Sequence, residues 1–201
     1  MKVLAIDTST SHGSVALLDD GRVLLDEACI SDRNHGCALV PLIERARDLA
    51  GRFDCIAIGL GPGSYAGVRI AIATAMGLAM ATGARLVGIP SVAAWECDLD
   101  HHIAIGDARR ETFYFTKVER GICTEGPLLT DAAGLLARIA ALPGWPVLSA
   151  EALDLAPQAI IARPNALTIA RLAAEGRGIC AEGNLEPLYL REPHITQPKV
   201  R

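Results

Sequence analysis

The feature that most restricts the fold is a repeat in register. Residues 3–7 are an apolar run closed by Asp7, and Asp20-Gly21 is a two-residue turn signal between two further strand-like runs, 14–19 and 22–29. In the second half, residues 103–107 are again an apolar run closed by an Asp, 112–118 follow as a strand, and Gly121 takes the turn position. Asp7 matches Asp107, Gly21 matches Gly121, and 14–18 matches 114–118 without a gap. Residue identity between the units is slight, so the match is one of pattern. Two strand–Asp–hairpin–helix units imply an α/β chain of two related subdomains, each a mixed sheet flanked by helices. The expected division is 1–100, a first subdomain, and 101–201, a second.

The remaining elements follow from spacing. Leu39, Leu42, Ile43, Ala46 and Leu49-Ala50 recur at helical intervals, which predicts a helix over 35–49 with Pro41 in its first turn. Residues 55–60 read as a strand, Gly61-Pro62-Gly63 breaks the chain, 66–82 reads as a long helix and 85–89 as a strand. Beyond them, 131–142 is a helix with Asp131 at its N-cap, 146–149 and 160–162 are short strands, 165–175 is a helix and 187–191 is extended.

Composition excludes several classes. Apolar residues are 51%, aromatics only 4%, charged residues 21%, and the mean hydropathy is +0.30, which excludes a disordered chain. With so few rings, the core is built from Ala, Leu, Ile and Val. Net charge is −4: residues 1–100 carry 8 basic and 12 acidic side chains, residues 101–201 carry 11 of each. Such a chain is a poor nucleic-acid binder by itself, since phosphate neutralisation supplies most non-specific affinity. The six cysteines include no C-x-x-C pair and are expected as reduced thiols of a cytoplasmic protein. No leader peptide is expected, and Arg69 and Arg85 argue against a membrane span over 66–88. The five histidines give neither H-x-x-x-H nor H-E-x-x-H, so no metal centre and no cofactor is expected.

Three segments bear on chemistry. Asp7-Thr8-Ser9-Thr10 ends the first strand; the turn N–H groups could face a phosphate and Asp7 a metal-bound water, or the same polar groups could simply satisfy the turn. The matching segment, Asp107-Ala108-Arg109-Arg110-Glu111-Thr112, has no Gly and sets two long Arg side chains where a phosphate needs close backbone approach. Gly61-Pro62-Gly63-Ser64-Tyr65-Ala66 satisfies G-x-G-x-x-[GA], yet Pro62 has no N–H to offer and no acidic residue ends the next strand, so a dinucleotide site is a distant reading. The helix that follows is apolar on every side, and Ala73-Gly77-Ala81 forms a ridge of small residues. It is either central to the fold or buried on one face by another chain.

These residues resemble a known family. Asp7-Thr8-Ser9-Thr10, His35 at the start of the first helix, and the run Gly61-Pro62-Gly63-Ser64-Tyr65-Ala66-Gly67-Val68-Arg69-Ile70 closely resemble the bacterial tRNA threonylcarbamoyladenosine biosynthesis family TsaB, also called YeaZ. Asp107-Ala108-Arg109-Arg110 and Pro187-Leu188-Tyr189-Leu190-Arg191 are similar to its later landmarks. Tyr65-Ala66-Gly67 stands where the family usually has Phe-Thr-Gly, and the second half is short for the family. The resemblance implies an actin-like ATPase (ribonuclease H-like) fold with a vestigial phosphate loop at Asp7, Thr8, Ser9 and Thr10. It implies no catalytic residue and no metal, but a partner subunit that pairs with TsaD in a complex that also recruits TsaE. Homodimers are possible when it is alone, and tRNA is met only through the complex. The implied pairing residues lie on the two first-subdomain helices: His35, Leu39, Leu42, Tyr65, Arg69, Ile70, Ala73, Met76, Gly77 and Met80. The loop residues Gly61, Pro62, Gly63, Ser64 and Gly67 carry the family motif. The alternative is an actin-like small-molecule kinase or nucleotide hydrolase using Asp7.

Overall fold

The computed structural model describes residues 1–30, 35–97 and 99–191, with backbone alone for 29–30 and 35–38. The first lobe begins with β1 (Lys2–Asp7), β2 (His12–Asp19) and β3 (Arg22–Ile30), followed by α1 (His35–Ala50), β4 (Cys55–Gly59), α2 (Tyr65–Thr82) and β5 (Arg85–Ile89). After a 3-10 turn at Ser91–Ala93 come β6 (His101–Asp107), β7 (Phe113–Glu119), β8 (Ile122–Thr130), α3 (Ala132–Ala140), β9 (Val147–Ser149) and β10 (Ile160–Ile161). The last regular elements among the described residues are α4 (Ala166–Ala174) and β11 (Ala181–Glu182).

The two sheets repeat one plan. The first runs β11-β5-β4-β1-β2-β3 and the second β10-β9-β6-β7-β8. In each, the opening strand pairs antiparallel with its hairpin and parallel with the strand after the first helix. The register read from the sequence holds: β1 ends at Asp7 and β6 at Asp107, and Gly21 and Gly121 both take positive φ in the hairpin turn.

Alternation on β1 sorts the core. Leu4 and Ile6 face α1 and α2, packing with Leu39, Ile43, Ala46, Val68, Ala71 and Ile72. Val3 and Ala5 face the other way, onto α4 through Ala166, Ile169 and Ala170. Both faces are covered, so β1 from Val3 onward and all of β4 are buried. Small side chains on α4 let it sit close to the sheet.

Two sequence readings need correction, and the structure adds detail at two other elements. Pro41 lies well inside α1, not in its first turn, on the exposed side of the helix. The second half is not confined to the second sheet, because α4 packs on the first sheet and β11 pairs with β5. The strand β8 carries no alternating pattern, since Gly126 and Pro127 interrupt it and its side chains are exposed or half-buried. Of the two readings of the long helix, burial within the chain accounts for one face alone: Gly67, Val68, Ala71, Ile72 and Ala75 are buried. By length and apolarity α2 would also serve as a membrane span, yet that inner stripe is seated on β4 and β5. Helices stand on both sides of the first sheet, whereas among the described residues no helix joins β9 to β10, where the first lobe has α2.

Candidate partner interface and interlobe cleft

The turn after β1 is closed on itself. Asp7 is fully buried; its Oδ1 accepts the backbone N–H (2.8 Å) and hydroxyl (2.7 Å) of Ser9, and its Oδ2 accepts the Ser91 hydroxyl at 2.6 Å. Thr8, also buried, donates to Gly67 O at 2.7 Å. Thr10 is only half-buried and its hydroxyl turns back to His12. These short polar side chains are consumed within the fold, in the manner of buried groups that must be paired.

The motif loop explains its glycines by the same contact. Ser64 N donates to Ser9 O at 2.6 Å. A Cβ on Gly63 would stand 2.1 Å from Ser9 O, and one on Gly67 2.0 Å from Thr8 O. The loop therefore lies backbone to backbone against the 7–10 turn, in the space a side chain would need. Gly61 N donates to the Ser91 hydroxyl at 2.9 Å, so Ser91 ties the Asp7 carboxylate to this loop. Ser64 caps α2 by accepting Gly67 N–H, and Pro62 is buried beside it. Ser91 was not among the expected site residues; its only sequence signal was a polar residue after Pro90 at a strand end.

Between the lobes lies a cleft of about 680 Å³, lined by Ser9, Thr10, Ser64, Asp107, Arg109 and Glu151 and crossed by the segment 187–191. Arg109 does not reach across it; its guanidinium pairs with Asp107, whose Oδ1 also accepts Arg109 N–H. The Asp7-based kinase reading requires that carboxylate to face the cleft, and the structure buries it instead. Among the described residues no three His, Cys, Asp or Glu side chains form a metal-holding group.

The expected pairing residues divide into two sets. Tyr65, Arg69, Ala73 and Gly77 are exposed, one helical turn apart, and Met80 is 87% exposed at the far end. A Cβ on Gly77 would meet nothing within 4 Å. Met76 is half-buried and, with Met80, Ala79 and Leu86, lines an apolar hollow of about 280 Å³ at the end of α2. Ile70 and Leu42 are half-buried and lean on the core. Leu39 is not a surface residue: at 1% exposure it belongs to the α1 stripe Leu39, Ile43, Ala46 and Ala50 that faces the sheet. Among the described side chains of α1 the large exposed apolar ones are Val40 and Leu49, and the side chain of His35 lies outside the described residues.

Two mixed sheets of one strand order, set about a cleft, define the actin-like ATPase, ribonuclease H-like class. The family model described as TsaD, tRNA N6-adenosine threonylcarbamoyltransferase, matches residues 29–182. The Escherichia coli protein named tRNA threonylcarbamoyladenosine biosynthesis protein TsaB is 31% identical, with 95% of each chain covered. Its Haemophilus influenzae namesake is 34% identical over 60% of this chain and 55% of its own. A solved Pseudomonas aeruginosa structure described as similar to peptidase YeaZ superposes with a TM-score of 0.70 at 28% identity, covering 94% of this chain and 99% of the other. The chain belongs to the TsaD family, in its TsaB (YeaZ) branch.

Proposed function

We propose that this chain is a non-catalytic subunit in the formation of tRNA threonylcarbamoyladenosine, a cytoplasmic partner that binds and supports TsaD. The pairing surface is the outward face of α2 with the exposed side of α1. TsaE joins the pair, tRNA is met only in the assembled complex, and two copies of the chain pair through the same face when TsaD is absent. The names of its relatives support the pathway. One observation carries the docking role: the exposed ridge Tyr65, Arg69, Ala73, Gly77 and Ala81 keeps small residues at its centre with open space above Gly77. An exposed apolar stripe of small residues permits close approach of a second helix. The burial of Asp7 and the closed turn weigh against ATP chemistry by this chain.

The test is a mixing experiment. The purified chain is expected to co-elute with TsaD and to be required for threonylcarbamoyl transfer by it, while alone it turns over no ATP. Failure to associate with TsaD, or ATP turnover by the isolated chain at roughly 1 s⁻¹ or faster, refutes the proposal.

A further inference from the structure

The first turn of the α2 face is not held by α2 alone. After β11 the chain runs without regular structure across the mouth of the cleft, where Leu188 N donates to Leu60 O at 2.8 Å and Arg191 bonds to Thr112 of the second lobe. This strap lays the ring of Tyr189 on that of Tyr65, with centroids 5.4 Å apart and planes 27° from parallel. Arg69, one turn further along α2, donates from one nitrogen, Nη1, to both phenol oxygens, at 2.8 Å to Tyr65 and 3.4 Å to Tyr189. Its guanidinium carbon stands 5.2 Å from the Tyr65 ring centre. All three side chains are open to solvent, Tyr65 at 51% and Tyr189 at 43%.

Burial gives this cluster no reason to exist, and neither does charge within the chain. Arg45, Arg85, Arg138 and Arg177 each close an ion pair with a carboxylate of the same chain. Among the described residues Arg69 has no carboxylate partner. A guanidinium fixed through one nitrogen to two neutral phenols keeps Nε and Nη2 for a planar, two-pronged acceptor. Two stacked tyrosines add rigid aromatic area that loses little side-chain freedom on contact.

We infer that the strap completes the docking surface, and that this surface takes a protein partner presenting a carboxylate to Arg69 between Tyr65 and Tyr189, beside apolar side chains that cover Ala73 and Gly77. The inference rests on the α2 pairing proposed above and adds to it a segment from the far end of the chain and a charge requirement on the partner. Strap and partner share Tyr65 and Arg69, so loosening the strap loosens the complex.

Calorimetry of the full chain with TsaD tests this at low and high salt. Tyr189→Ala is expected to weaken binding about tenfold or more. Tyr189→Phe, which keeps the stack, is expected to lose only a few-fold, and Arg69→Met to remove most of the salt dependence. Unchanged circular dichroism and melting establish that each variant is folded. Gly77→Arg separates the two ideas. If it binds like wild type, or if wild type does not bind, the α2 pairing falls and this inference with it. If Gly77→Arg abolishes binding while Tyr189→Ala and Arg69→Met both bind like wild type, with the salt dependence intact, the strap and the carboxylate are overturned and the α2 pairing stands.

Discussion

Replacing Gly77 by Ala separates folding from docking, because the two effects have opposite signs. Gly77 lies inside an 18-residue helix, its side faces solvent, and an added methyl meets nothing within 4 Å. Interior helical glycine is costly in backbone entropy, so Gly77→Ala should stabilise the isolated chain by about 1 kcal/mol. For a chain of this length that raises the melting temperature by about 2–4 °C. The same methyl stands on the ridge between Ala73 and Ala81, where a second helix would approach at the short end of the roughly 8–10 Å range of interaxial distances. A methyl at a closest contact costs about 1–3 kcal/mol in overpacking, a roughly five- to hundredfold loss of affinity for TsaD. Scanning calorimetry of the free chain, diluted until sedimentation shows monomers for both proteins so that loss of self-pairing does not enter, gives the first number, and titration into TsaD the second. A variant that melts lower than wild type would refute the open surface at Gly77. A variant that melts higher and binds TsaD with unchanged affinity would refute its role in close approach.

Two further outcomes test the site and the lobe junction. Gly63→Ala sets a Cβ 2.1 Å from the Ser9 carbonyl oxygen, and neither backbone can yield without breaking the Ser64–Ser9 hydrogen bond; a loss of about 3 kcal/mol is expected in denaturant unfolding, and a loss under 1 kcal/mol would remove the loop-on-turn contact as the motif's purpose. His102 is buried and donates from Nε2 to Val92 O, close to Trp95 and beside His101. Burial lowers its pKa below the ordinary 6.5, and neighbouring His101 adds to the shift. The unfolded chain then takes up the proton more readily than the fold, so this contribution is fully present above about pH 6.5 and is lost as pH falls through the lowered value. The unfolding midpoint should drop between about pH 7.5 and 5, and drop less in His102→Gln; equal slopes for the two proteins would exclude His102 as the cause.

The ease with which the fold was read from sequence tracks how the burial pattern is generated. β1, β2, β4 and β5 are covered on one or both faces, so their apolar runs announced them, and the Asp-Gly turn fixed the hairpin register. β8 is an edge strand whose side chains are exposed or half-buried, and an edge strand has no need of alternation. The return of α4 to the first sheet was invisible because its small apolar face, Ala166, Ile169 and Ala170, fits any closely packed sheet. At the site, the glycines stood out by type, but what they approach is a carbonyl oxygen that local pattern could not place, since Ser9 and Gly63 meet only through tertiary packing. Leu39 was misplaced for a related reason: helical spacing names a stripe, and whether that stripe meets a sheet or a partner depends on which side the sheet lies.

That dependence also bears on the proposal that docking uses the first lobe. Both lobes share the five-strand order, but among the described residues only the first has a helix between its fourth and fifth strands, and only there does a helix turn a long apolar face outward. The second lobe instead exposes Ile160 and Ile161 on a two-residue edge strand, too little surface for a stable contact. α4, which might have served the second lobe, is spent on the inner face of the first sheet. A partner of the same fold presents an equivalent α2-like helix, so the two would meet about a pseudo-twofold axis with helix against helix, and a second copy of this chain meets the same geometry. If both proposed pairings use α2, they compete for one face, and TsaD in excess is expected to dissolve the homodimer rather than add to it; a mixture in which sedimentation finds TsaD added to an intact homodimer would refute the shared face.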